Sequence, residues 1–167
     1  MRHISNIFLV LLTSLLIAQA AFSLQWPIAH DEAPLFYEAF LMSSEGRVPY
    51  RDIFDFQMPG SFAAYSALGL LGSFNDFRIR ILDITLLAAL LTITFFAMRR
   101  FGKTPALASA ILFGLKYLQG GPSLSLQREY LLLIFIALAV LARMRMGDDL
   151  TPRQRALIGF FFGLAAV

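Results

Sequence analysis

Apolar positions along the chain gather into blocks: residues 7–24, 59–74, 81–98, 105–118, 130–146, and a last block opening at residue 156. An apolar run of about 18 residues or more predicts a helix able to span a bilayer. Residues 7–24 and 81–98 meet that length, and 105–118 and 130–146 read as further spans separated by the "GGP" break at Gly120–Pro122. The block 59–74 differs. Its sixteen residues make about 24 Å of helix against a hydrocarbon core of about 30 Å. It also carries Gly60, Ser61, Ser66, Gly69, Gly72 and Ser73, so it is expected to lie in, or dip into, the outer interface. Twelve apolar residues, 156–167, close the chain without a polar flank. A truncated span is expected there, and with it an N-terminal part of a longer protein.

Between the first two blocks the pattern changes. Leu35, Phe36, Ala39, Phe40 and Met42 recur at helical spacing and predict an amphipathic helix over residues 32–45. Asp31, Glu38 and Glu45 stand seven apart and share one edge of it. Glu38 and Glu45 read as solvated on that edge, with the aromatics laid on the outer leaflet. Gly46 suits a left-handed C-cap, with Pro49 following. "DIFDF" predicts a short irregular piece, and "MPG" turns the chain into the helix that opens at Pro59.

Composition turns these spans into a class. The chain is 58% hydrophobic and 15% charged, where a soluble domain carries about 25% charged residues. The mean hydropathy is +0.69. The net charge of +3 does not point to nucleic acid, because the basic residues flank apolar runs, as membrane orientation requires. If residues 59–74 do not span, Arg99, Arg100 and Lys103 fall on the cytoplasmic side together with Arg2, Arg143, Arg145, Arg153 and Arg155. If they do span, both clusters are thrown outside. The first topology is expected: an all-α, polytopic membrane protein with a cytoplasmic N-terminus, a plasma (inner) membrane location and one large extracytoplasmic loop over residues 25–79. A cleavable signal peptide is the alternative for the first run, since "AQA" at Ala18–Ala20 fits a cleavage site. The apolar stretch continues past it to Trp26, an interfacial anchor, and a retained helix is expected. With no cysteine, disulfides and thiolate metal sites are excluded.

Six of the eleven carboxylates lie within residues 30–60. Asp31 comes just beyond Trp26-Pro27, where the chain is tethered at the membrane surface, and a carboxylate there can take a proton from a hydroxyl nucleophile. Asp31 and Glu32 are therefore the candidate catalytic pair. His30 and Glu32 flank the aspartate as tuning partners or ligands. No metal site is assigned, and a divalent cation is the one cofactor left open. Lys116 interrupts an apolar run, where an ionisable residue is a functional suspect unless it snorkels to the interface. Arg128-Glu129 opens the next span. Arg80 and Asp83, three apart, read equally as a structural pair.

The ordered motif "DE…EGRVPYRDIFDFQMPG…R" resembles the first outer loop of the GT-C-fold, polyprenyl-phosphate-dependent glycosyltransferases. The similarity is greatest to the branch holding protein O-mannosyltransferases and lipid A aminoarabinose transferases. Asp31-Glu32, Gly46, Pro49-Tyr50, Asp52, Pro59-Gly60 and Arg78/Arg80 match in order. A basic residue that the family carries before the proline is replaced by Gln57-Met58. The resemblance implies a catalytic aspartate, matched by Asp31, and a helix after Pro59 held outside the membrane core. It implies inverting transfer from a polyprenyl-phosphate sugar donor, with membrane lipid around it, to a lipid, glycan or protein acceptor. Tyr50, Asp52, Asp55, Arg78, Arg80, Lys116 and Arg128 are the candidate substrate-binding residues. Two other classes compete: a transporter or flippase fragment, for which Lys116 and the "GGP" break are pathway features, and a non-catalytic membrane scaffold.

Overall fold

The computed structural model describes residues 2–147 and 149–166, with side chains from residue 6 onward. The charged flank Arg2-His3 is thus described by its backbone alone, and Val167 lies outside the described residues. Among these residues the regular structure is helical: α1 Arg2–Ser23, α2 Glu32–Glu45, α3 Pro59–Gly72, α4 Asp76–Met98, α5 Lys103–Gln119, α6 Arg128–Arg145 and α7 Pro152–Ala165, with one 3-10 turn, Arg99–Phe101, after α4.

The helix ends follow local chemistry. α2 stops where Gly46 takes φ 66°, and the Arg47 amide closes onto the Leu41 carbonyl at 3.3 Å, the left-handed cap that glycine enters without steric cost. Pro59 occupies the first turn of α3, where its missing N–H costs nothing. α4 begins behind Asn75, whose side chain accepts the Arg78 amide at 3.2 Å. This cap moves the helix start ahead of residue 81, where the apolar run opens, and draws Arg78 and Arg80 into the helix. Thr151 and Gln154 form a capping box on α7.

α4 is the hub, packing on α3, α5 and α6, while α2 lies on α3, α1 on α5 and α7 on α6. A side chain at Gly114 of α5 would stand 2.8 Å from Leu16 of α1 and 3.2 Å from Leu91 of α4. Glycine there lets the three helices close together. Leu35, Phe36 and Ala39 of α2 meet Tyr65 of α3, Ile79 and Leu90 of α4, and Leu126 and Tyr130 around the start of α6. The Phe36 and Tyr65 rings meet edge to face at 5.1 Å.

Among the described residues two segments, Asn6–Ser23 and Asp76–Phe101, are long and apolar enough to cross a membrane. Within an 18-residue apolar stretch of each, only 11% and 17% of the residues are buried in the fold, so most of that apolar surface is not spent on a protein core. On α1 the exposed side chains include Ile7, Phe8, Val10, Leu11 and Phe22. The fourteen residues of α3 make a helix of about 21 Å, shorter than a hydrocarbon core of about 30 Å.

Candidate functional site

The loop that leaves α1 is pinned by a buried ionic network. Arg80, fully buried, donates to both Glu32 carboxylate oxygens, to the Ser125 hydroxyl, to the Trp26 carbonyl at 3.2 Å and to the Pro27 carbonyl at 2.6 Å. Glu32, 1% exposed, also accepts the Ala29 amide at 3.0 Å. Asp83 receives Ser125 and Tyr117 hydroxyls, each at 2.6 Å, and lies 3.7 Å from Arg80. Tyr117 in turn accepts the Leu126 amide at 3.0 Å. Burial pushes the Glu32 carboxyl above its ordinary range, while the Arg80 hydrogen bonds oppose that rise. Every guanidinium N–H direction is occupied, which is the condition under which a buried charge is tolerated.

Asp31, the preceding residue, has the opposite fate. Its side chain is 65% exposed and pairs with His30 at 3.0 Å. Glu32 turns away to Arg80, so His30, Asp31 and Glu32 do not converge on one point as metal ligands would.

The loop over residues 46–58 forms the facing wall. Asp52 accepts the Val48 amide at 2.9 Å and Arg51 at 2.8 Å, and the Arg51 bonds and Val48 amide hold its carboxyl down near 2. The Tyr50 hydroxyl donates to the Gln57 carbonyl at 2.5 Å, and its ring packs on Phe62. Residues 54–58 then run without helical structure, and their side chains alternate as in a strand. Phe54, Phe56 and Met58 are 105%, 88% and 62% exposed, whereas Asp55 and Gln57 are half-buried. Gln57 accepts a hydrogen bond from Arg128 at 2.5 Å, and Arg128 also pairs with Glu129 at 2.9 Å.

These elements enclose a cleft of about 290 Å³ lined by Asp31, Asp55, Gln57, Gln127, Arg128 and Glu129. Arg128 also borders an apolar furrow between α3, α6 and α7, with Gly60, Ala64, Leu131, Leu132 and Phe135 along it. One guanidinium therefore stands where a polar cleft meets an apolar groove. No family model, curated protein or solved structure matches the chain, so the chemistry rests on this geometry and on the motif.

Of the residues that the sequence singles out, the fold brings Asp31, Asp55 and Arg128 to one cleft. Glu32 and Arg80 are locked in the buried network. Tyr50 and Asp52 brace the loop from outside the cleft. Arg78 is exposed and bonded to Ser73 at 3.0 Å. Lys116 sits apart in a surface groove with Leu15, Gln19 and Leu112. Glu38 departs from its expected place on a solvated edge. It is half-buried beside Asp55, because the 46–58 loop folds back over that side of α2. Ser125 carries no signal of its own in the sequence, and Gln57 stands out there only as a departure from the basic residue of the resembled family. Asp83 and Tyr117 each stand inside an apolar run, and buried polar side chains there demand partners.

Proposed function

We propose that the protein is a multi-pass membrane glycosyltransferase, its cleft on the extracytoplasmic face, that moves a sugar from a polyprenyl-phosphate donor to a hydroxyl acceptor. The observation that supports this reading is the junction at Arg128, with carboxylates on one side and an apolar furrow on the other. A lipid-linked phosphate has the matching division: an apolar tail, then an anion, then a polar sugar. Asp31 takes the proton of the attacking hydroxyl as its oxygen bonds to the anomeric carbon. The bond from that carbon to the phosphate oxygen breaks, and Arg128 faces the charge that builds on the departing phosphate. Arg128 exchanges its Gln57 contact for the phosphate. Glu32 and Arg80 hold the backbone of residues 26–32, so that Asp31 is presented at the rim.

The full-length protein in liposomes tests the reading. Product is expected only when a polyprenyl-phosphate sugar is supplied, and a soluble nucleotide sugar alone should give none. Labelling tests the topology. Cysteines placed at Ser44 and Ser73 should react with an impermeant thiol reagent in intact cells, and one at Thr104 should not. Protection at Ser73 with reaction at Thr104 would mean that α3 crosses the membrane, and would overturn the non-spanning topology and the fold assignment with it.

A further inference from the structure

The half-buried Glu38 poses a problem of hydrogen-bond accounting. Its Oε2 is shielded from solvent and has no ordinary hydrogen-bond donor beside it. The side chain that Glu38 meets is a second carboxylate, Asp55, which lines the cleft together with Pro34 and Leu35 of α2. Two carboxylates in contact hold together only when a proton lies between them. Asp55 belongs to the 46–58 loop, and the other wall residue of that loop, Gln57, is the partner of Arg128. A contact that seats Asp55 thus also sets where Gln57 holds the cleft's guanidinium.

We propose that Glu38 is a positioning residue of the cleft: by sharing one proton with Asp55 it latches the 46–58 loop onto α2, and loss of that proton releases the loop and the Gln57–Arg128 contact with it. The latch is a property of the fold and does not depend on the sugar-transfer reading.

The surroundings give Glu38 no competing charge. α3 offers a single titratable group, Tyr65, whose hydroxyl is spent on the Leu126 carbonyl. Within the loop, Arg51 is paired with Asp52, and Arg47 with Glu45 at the end of α2. Asp31, Arg128 and Glu129 face Asp55 across the cleft. Burial first, and then the hydrogen bond and charge of Asp55, raise Glu38 from an ordinary 4.5 to about 7. A raised acid is bound more firmly in the folded state, so its contribution is complete below its ordinary value and is lost as pH climbs through the folded one. The loop is therefore seated in mild acid and freed as pH passes about 7.

The chain has no cysteine, so spin labels can be placed cleanly on exposed Phe54 in the loop and exposed Tyr37 on α2, with the distance between them read by pulsed electron resonance in the full-length protein. At about pH 5.5 the distribution should be short and narrow, and at about pH 8.5 longer and broader, with a midpoint shift between the two. Glu38→Gln keeps a donor but no titratable proton, and should hold the short distance at both values. Glu38→Ala keeps neither, and should show the long distance at both. Identical wild-type distributions at the two pH values would overturn the latch. A pH-dependent shift that survives in Glu38→Gln would do so too, whatever the outcome for sugar transfer.

Discussion

Asp31 and Glu32 are neighbours in sequence, and they differ in everything that matters to their chemistry. Glu32 is sealed against Arg80 in a network in which each charge and hydroxyl has its partner. Asp31 stands at the rim of a cleft with a second carboxylate and a cation before it. The difference arises from α2. Asp31 stands at the N-cap position without a side-chain capping bond, while Glu32 is the first helical residue and turns toward Arg80 of α4. One region spends its charges on holding three segments together; the other keeps its charges available. A charged motif therefore splits into charges that build the fold and charges that stay available, and only contacts sort them.

The comparison breaks most readily at Arg80. Arg80→Met leaves Glu32 and Asp83 buried without their cation, and removal of one partner from such a site costs about 3–5 kcal/mol. The variant should lose that much in denaturant unfolding in detergent, and undiminished stability would mean that the network is ornamental. Asp31→Asn should act in the opposite way. Unfolding should be unchanged, since the side chain is exposed, while turnover drops at least about a hundredfold. Near-normal turnover would pass the role to Asp55, the next carboxylate on the cleft wall. Tyr117→Phe sharpens the contrast, because it removes one hydroxyl from Asp83 and from the Leu126 amide. A loss of about 1–3 kcal/mol is expected in unfolding, with donor KM unaltered. The smallest effect belongs to Lys116→Met. Lys116 lies outside both regions, and the change should move stability by no more than about 0.5 kcal/mol and leave donor use intact. A clear loss of donor use would place the phosphate on the α1–α5 side instead of at Arg128.

Much of the scaffold was legible from the residues alone. The helix over 32–45, its end at Gly46, the turn into Pro59 and the two long apolar helices follow from periodicity, capping and run length. These are local signals, set by a residue and its neighbours within a turn or two. The start of α4 was not placed so well, because Arg78 and Arg80 look like a polar flank until a buried partner for Arg80 is known. The site was legible only in part. The motif put Asp31, Asp55 and Arg80 into one group of suspects, and the fold divides them between a cleft and a core.

What the sequence determined by itself is which segments form helices, where most of them stop, and that acids and aromatics crowd the stretch between the first two apolar blocks. Tertiary structure alone decided that Glu32 reaches Arg80 across 48 positions and that Arg128 meets Gln57 across 71. It alone decided that Glu38 lies against Asp55 instead of water. A helix is specified by interactions a few residues apart, whereas a carboxylate's role depends on which charge, donor or solvent stands within a few ångströms of it. That neighbour is supplied by remote segments, and no pattern along the chain encodes it.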